Sequence, residues 1–139
     1  MNAQTLSAIN EAAQSWVGTP FHHAARIKGA GVDCANLLIA VYSEAGLIEP
    51  FELEPYPQDW MLHREAERFL DTVGRYADEV PVPVPGDTVV MRFGRCFSHG
   101  AILVDPQTLV HAFVGRPVEP ALFSDYAERP MRYFRVRAQ

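Results

Sequence analysis

Residues 33–46 read DCANLLIAVYSEAG and carry the clearest helix signal in the chain. Asp33 is a good N-cap, because its carboxylate can accept a hydrogen bond from a free amide of the first turn. Gly46 suits the left-handed position just after the last turn. The residues between them are apolar almost all round, which predicts a helix that is buried on most of its sides. Cys34 then falls on the first turn of this helix.

The position of Cys34 predicts a reactive thiol. A helix N-terminus carries partial positive charge and free N–H groups. Such sites stabilise a thiolate and lower a cysteine pKa to about 3.5–7.5. The same amides can hold the oxyanion of an acyl-transfer intermediate. The alternative is a small buried residue in an apolar helix, since free cysteine is among the most buried residue types.

The segments around this helix predict an α+β fold. Helical spacing over residues 6–17 predicts an earlier helix that ends at Gly18, and residues 59–74 predict a third helix capped by Asp59. A turn is expected at Asp105-Pro106. The predicted strands are Thr88–Phe93, Gly100–Val104, Leu109–Phe113 and Arg132–Arg137. Helices followed by strands indicate an antiparallel sheet, with the Cys34 helix packed on it.

Two histidines have a spacing that suits paired strands. His99 stands at the start of one predicted strand, and His111 lies inside the next. If these strands pair through a turn centred near residue 105, the two side chains face each other. His99 can then act as the base for Cys34, while His111 orients its ring. A single histidine in a strand is more often a packed core residue, but two at this spacing favour a catalytic set.

Five short motifs give the chain a family resemblance over roughly residues 13–113. In chain order they are Gly18-Thr19-Pro20-Phe21, Gly31-Val32-Asp33-Cys34-Ala35-Asn36-Leu37, Pro85-Gly86-Asp87, His99-Gly100-Ala101-Ile102 and Val110-His111-Ala112. The chain resembles NlpC/P60 cysteine peptidases, and most of all the short single-domain members found in phage tails. The resemblance implies a papain-like fold, with residues 1–139 as one catalytic domain. It also implies hydrolysis of amide bonds in peptidoglycan stem peptides through an acyl-enzyme, commonly next to D-γ-glutamyl or diamino-acid residues.

The resemblance assigns roles to individual residues of this chain. It makes Cys34 the nucleophile, His99 the base and His111 the third, polar member. The family usually has a tyrosine where this chain has Phe21, and that tyrosine's hydroxyl helps to hold the oxyanion. The candidates for oxyanion or substrate contacts are therefore Asp33, Phe21, His22 and His23.

Net charge and the distribution of apolar residues argue against some classes of function and location. The chain has 139 residues and a net charge of −5, which disfavours binding to nucleic acid through phosphates. The N-terminus shows no signal peptide and no apolar run approaches the roughly 20 residues of a membrane span. We therefore expect synthesis in the cytoplasm, and the resemblance implies delivery to the cell wall in a phage-like tail particle, with tail proteins as partners. No cofactor is expected.

The remaining polar residues give weaker signals. Close metal-ligand pairs are absent apart from adjacent His22-His23, which argues against a zinc site. Cys96 is expected to be a spare thiol in a connecting loop. A cleft lined by basic residues could bind a substrate carboxylate. The candidates for that contact are Arg26, Lys28, Arg92 and Arg95.

Two other functions remain open at this point. One is a papain-like thiol amidase or acyltransferase acting on lipid or small-molecule amides, which a wide apolar cleft would favour. The other is a non-catalytic structural tail protein, which a blocked cleft or an unreactive Cys34 would favour.

Overall fold

The computed structural model describes residues 1–56 and 68–137. Three α-helices occur in this part of the chain: α1 (Ala3–Trp16), α2 (Cys34–Glu44) and α3 (Arg68–Gly74). The strands are β1 (Arg26–Ile27), β2 (Gly31–Val32), β3 (Ala77–Val80), β4 (Thr88–Phe93), β5 (Cys96–Asp105), β6 (Thr108–His111), β7 (Glu119–Leu122) and β8 (Met131–Val136). The predicted start of the third helix, with its Asp59 cap, lies outside the described residues. No helix in the described ranges has the length and apolar character needed to cross a membrane.

The main sheet has six antiparallel strands in the order β3-β8-β4-β5-β6-β7. Its centre is formed by the strands that the sequence predicts. The two edge strands, β3 and β7, carry weak signals because each is only four residues long and partly exposed. Pro120 within β7 is tolerated because an edge strand has an unpaired side that needs no amide donor.

Helices α1 and α2 pack on one face of the sheet and form the main core with it. Leu37 and Leu38 of α2 are fully buried there. Gly100 of β5 lies under both α2 and α3, since a Cβ atom at this position would stand 2.6 Å from Phe69 Cζ and 2.9 Å from Leu38 Cδ1. This arrangement confirms the α+β fold and the packing of the Cys34 helix on an antiparallel sheet.

The β5–β6 register differs from the predicted one. Asp105 pairs with Thr108 across a two-residue turn, and the register shifts between Leu103 and Asp105. As a result His111 lies opposite Ala101 rather than opposite His99. The expectation of directly facing histidines is therefore wrong. His99 and His111 are diagonal neighbours on one face, two positions apart, which side chains of this length can bridge.

Strand β5 also begins earlier than predicted, at Cys96 instead of Gly100. Cys96 is 1% exposed and belongs to the main core, so the expectation of a spare loop thiol is wrong. The tight Gly94-Arg95 turn lets pairing with β4 start at once, with Phe93 opposite Cys96. Cys34 and Cys96 are not joined by a disulfide bond.

The Pro85-Gly86-Asp87 motif has a structural role at the start of β4. Tyr42 of α2 donates its hydroxyl to the carbonyl oxygen of Gly86 (2.9 Å), which ties the turn to the helix. The fully buried Asp87 carboxylate accepts two hydrogen bonds from the Arg135 guanidinium, at 3.0 and 2.9 Å. The motif therefore connects the start of β4 to α2 through Gly86 and to β8 through Asp87.

Candidate active site

The N-terminus of α2 is held by Asp33 as the sequence predicts. Asp33 Oδ1 accepts from the amide of Asn36 (3.0 Å) and from its side-chain nitrogen (2.9 Å). Oδ2 accepts from the amide of Ala24 (2.8 Å) and from the hydroxyl of Tyr56. The cap thus joins three segments of the chain and fixes Cys34 as the first residue of the helix.

The Cys34 thiol lies between the start of α2 and strand β5. Its Sγ is 3.8 Å from the carbonyl oxygen of Ser98, and the amide of Gly100 is close enough to favour the thiolate. Burial nevertheless raises the pKa of Cys34 to about 12, and the Asp33 charge raises it further. The expected lowering of this pKa is therefore wrong. Desolvation and a neighbouring carboxylate outweigh the helix amides.

His99 and His111 form a hydrogen-bonded pair, with His99 Nε2 2.8 Å from His111 Nδ1. Both rings are buried, and the rings of Phe93 and Phe113 pack edge-on against His99. Burial lowers the pKa of His99 to about 3, with further contributions from His111 and Arg129. Burial also lowers the pKa of His111. Both imidazoles are therefore neutral near pH 7.

A cavity of about 600 Å³ brings the predicted residues together. Cys34 and His99 both line it, as do Asp33, Phe21 and His23. His111 lies behind His99 and does not line it. No hydrogen bond joins Cys34 Sγ to His99 within the described part of the chain. The bond to His111 occupies Nε2 of His99, so Nδ1 is the ring nitrogen that remains for the thiol.

The two histidines next to Phe21 have different surroundings. His22 is exposed, with Nδ1 3.1 Å from the carbonyl oxygen of His23, and it does not line the cavity. His23 does line it, but its Nε2 is 2.7 Å from the carbonyl oxygen of Tyr56. Of the two, only His23 is in place to contact a substrate.

Tyr56 is a site residue that sequence reasoning missed. It lines the cavity, donates to Asp33 and packs edge-on against the His23 ring. Burial and the Asp33 charge raise its pKa, so it stays a neutral phenol. The only available signal was a tyrosine in the proline-rich segment 49–57, a pattern typical of a connecting loop.

The basic residues at the cavity also differ from those expected. Arg26, Lys28, Arg92 and Arg95 do not line it, whereas Arg68 and Arg75 do. Arg26 instead donates to Asn36 Oδ1 (3.0 Å) and to the carbonyl oxygen of Phe51 (2.6 Å). Among the residues with described positions, no group of three or more His, Cys, Asp or Glu side chains is arranged to hold a metal ion.

No family model and no curated protein matches this sequence. Solved structures do match its fold. One is a Staphylococcus aureus protein described as similar to lipoprotein, of the NLP/P60 family, with 19% identity, a TM-score of 0.70 and coverage of 100% of this chain and 43% of that one. Another is NlpC2 from Trichomonas vaginalis, with 15% identity, a TM-score of 0.72 and coverage of 100% and 48%.

A third match has nearly the same length as this chain. It is the NlpC/P60 domain of the peptidoglycan hydrolase SagA, with 18% identity, a TM-score of 0.61 and coverage of 95% of this chain and 97% of that one. The chain spans less than half of the length of the first two structures. At these identities the likeness shows the fold, which is the papain-like fold of NlpC/P60 domains.

Proposed function

We propose that this protein is a cysteine peptidase that hydrolyses amide bonds in peptidoglycan stem peptides. The observation that carries the proposal is one cavity lined by Cys34, at the first turn of a helix, and by His99, whose far nitrogen is bonded to His111. A nucleophile, a base and a group that orients the base are the requirements of covalent acyl transfer. The fold shared with a domain of a peptidoglycan hydrolase supports the choice of substrate.

The histidine pair sets the tautomer that the reaction needs. When His99 donates its Nε2 proton to His111 Nδ1, the lone pair of His99 Nδ1 is free to accept the thiol proton. The resting pair is a neutral thiol and a neutral imidazole, because burial opposes charge on both. Proton transfer therefore accompanies attack on the substrate instead of preceding it.

The reaction then proceeds through an acyl-enzyme. Cys34 Sγ forms a bond to the amide carbonyl carbon as its proton moves to His99. The amides of Cys34 and Ala35 lie close enough to Cys34 Sγ to favour the thiolate, so they are the helix donors nearest to the developing oxyanion. His99 protonates the leaving amine and the carbon–nitrogen bond breaks. Water, deprotonated by His99, attacks the thioester, which releases the acid and restores the thiol.

The identity of the product tests this proposal. Purified cell-wall muropeptides are incubated with the protein, and the fragments are identified by mass. We expect one new amine terminus per cleavage within the stem peptide and no product from Cys34→Ala. Intact muropeptides after incubation with a folded wild-type protein would contradict the proposal. Its action within a phage-like tail particle, and residues 1–139 as a single catalytic domain, belong to the same proposal.

A thiol amidase or acyltransferase is the second candidate, because several aromatic rings line the cavity. They are those of Phe21, Phe69, Phe93 and Phe113. Such a lining suits an apolar acyl group. Cleavage of an N-acyl amide with a long alkyl chain, at a higher kcat/KM than any stem peptide, would favour this candidate.

A further inference from the structure

Residues 123–130 form a cover segment that connects β7 to β8 and packs on the sheet. It begins with the 3-10 helix Phe123–Tyr126. Side chains alternate along β5, so His99 shares its face of the sheet with Ala101. Ala101 belongs to a second apolar cluster, against which both aromatic rings of the 3-10 helix pack. The cover segment therefore lies against the same face as the histidines.

Arg129 of the cover segment reaches His99 through one aromatic ring. Its guanidinium carbon lies 3.7 Å from the centroid of the Phe93 ring. Phe93 in turn packs edge-on against His99, with ring centroids 5.5 Å apart and an interplanar angle of 77°. We infer that Arg129 is a positioning residue, which holds Phe93 against the His99 ring and places a positive charge behind it. This inference rests on the proposed function, because it takes His99 as the base.

Main-chain hydrogen bonds hold Arg129 over Phe93. Nη1 of Arg129 donates to the carbonyl oxygen of Arg92 (3.2 Å), and the amide of Arg92 donates to the carbonyl oxygen of Pro130 (3.1 Å). No described carboxylate forms an ion pair with Arg129. The guanidinium is therefore fixed to β4 while its charge is left without a neutralising side chain in the described chain.

Arg129 is the cation that acts on His99. The titratable groups on either side of the His99 ring, His111 of β6 and Cys34 of α2, are both kept neutral by burial. Three groups act on His111 instead: Glu119, its ion-pair partner Arg116, and Tyr126. The charged side chains of the cavity wall form no described hydrogen bond or ion pair with His99; they are Asp33, Glu54, Arg68, Asp71 and Arg75. Burial is the main cause of the lowered pKa of His99, and His111 and Arg129 lower it further.

The stack and the charge affect different parts of the reaction. The Phe93 ring restricts rotation of the His99 ring, and a small error in the orientation of a base costs rate. The positive charge makes the His99 imidazolium a stronger acid, which favours transfer of its proton to the leaving amine. The same charge keeps His99 neutral, and so able to accept the thiol proton, at lower pH.

Three variants separate the stack from the charge. Arg129→Gln keeps a planar side chain over Phe93 without the charge, so the acid limb of the pH profile of kcat/KM on muropeptides should move to higher pH. Arg129→Lys keeps the charge but lacks the planar group. Its acid limb should stay at the wild-type pH while kcat falls by about tenfold. Arg95→Gln removes the same charge from an exposed turn and should match the wild type in both respects.

A Phe93→Leu background tests whether Arg129 acts through the ring. Leucine is apolar but has no aromatic face for a guanidinium, so Arg129→Lys should cause little further loss of kcat in that background. A loss of kcat that adds in full to that of Phe93→Leu would overturn the inference.

Nuclear magnetic resonance of histidine-labelled protein tests the inference without a substrate. At the lowest pH at which the protein remains folded, a larger fraction of His99 should be protonated in Arg129→Gln than in the wild type, whereas the exposed His22 should respond equally in both. That result in a protein that cleaves no muropeptide would retain the action of Arg129 on His99 and overturn the peptidase function. An unchanged His99 titration in Arg129→Gln, or wild-type kcat in Arg129→Lys, would overturn the inference alone.

Discussion

Cys34 and His99, the proposed nucleophile and base, are both uncharged at rest. Cysteine at a helix N-terminus ordinarily has a lowered pKa, but here burial raises the pKa of Cys34 to about 12 and lowers that of His99 to about 3. A preformed thiolate–imidazolium pair is therefore disfavoured. The site differs in this respect from cysteine peptidases in which the thiol is ionised before the substrate arrives.

The pH dependence of alkylation tests this protonation state. We expect the rate constant for reaction of Cys34 with iodoacetamide to rise continuously from about pH 6 to about pH 10, because the thiolate fraction grows tenfold per pH unit below the pKa. Mass spectrometry of the labelled peptide follows Cys34 separately. Cys96 is the internal control, since it is 1% exposed and should stay unlabelled in the folded protein. A rate plateau between about pH 5 and pH 8 would indicate a preformed ion pair instead.

In the proposed mechanism His111 acts through His99, so its removal should affect catalysis more than binding. We expect His111→Phe to lower kcat by about 10²-fold or more with little change in KM, because His99 loses the acceptor that fixes its tautomer. His111→Asn keeps a side-chain acceptor and should recover part of kcat. Equal kcat values for wild-type and His111→Phe on the same muropeptide would show that the bond to His99 has no catalytic role.

Local sequence was sufficient to predict some site residues and not others. The position of Cys34 could be predicted because an N-cap, an apolar helix and a glycine stop all lie within residues 33–46. The direction of the Cys34 pKa shift could not be predicted, because that shift depends on burial under segments distant in sequence. Tyr56 was missed for the same reason, since only the folded chain brings its hydroxyl to Asp33.

At the level of elements, the strand pattern was predictable but its register was not. Strand β4 matches its predicted bounds, whereas pairing between β5 and β6 is shifted relative to the simple midpoint estimate. The two-residue turn at residues 106 and 107 lies later than the assumed centre at residue 105, and the irregularity between Leu103 and Asp105 changes the pairing by one residue. The histidines still meet, because diagonal neighbours on one face are within reach of each other.

The contact between α3, α2 and β5 depends on Gly100. We expect Gly100→Ala to lower the free energy of unfolding by about 1–3 kcal/mol, because the new methyl group would overlap the buried Phe69 ring and Leu38. Denaturant unfolding measures the change. Gly74→Ala is the matched control, since its Cβ meets nothing within 4 Å, and it should leave stability unchanged or raise it slightly. Wild-type stability of Gly100→Ala would contradict the tight packing of α3 on β5.

At the level of the whole molecule, the neutral histidine pair links stability to pH. The pKa of His99 is about 3 in the folded protein and near 6.5 in the unfolded chain, so the unfolded state binds the extra proton between these values. The stability that neutral His99 contributes is fully present above about pH 6.5 and is lost as the pH falls toward 3. The lowered pKa of His111 acts in the same direction.

We therefore expect the free energy of unfolding to fall between about pH 6.5 and pH 5, by up to about 1.4 kcal/mol per pH unit for His99. Denaturant titrations at several pH values measure this slope. His99→Gln should flatten it, whereas His22→Gln, which changes an exposed histidine, should retain it. An identical slope in wild-type and His99→Gln would show that His99 is not buried in its neutral form.

The overall fold was predictable because few folds are compatible with the chain's order of helices and strands. A buried helix followed by several short strands must place that helix on the sheet, and the six-stranded sheet with α1 and α2 on one face meets this requirement. The edge strands and the cavity wall near residues 51–56 could not be predicted, since their conformation depends on contacts with the rest of the molecule.

Direct observation of an acyl-enzyme tests the central claim, that Cys34 forms a covalent intermediate in this cavity. The protein is mixed with a stem peptide, the reaction is quenched in acid within the first turnover, and intact mass and peptide mapping locate the adduct. We predict one acyl group per protein, attached to Cys34 and absent from Cys34→Ala. Product formation by Cys34→Ala at the wild-type rate, or an adduct on Cys96, would contradict the claim.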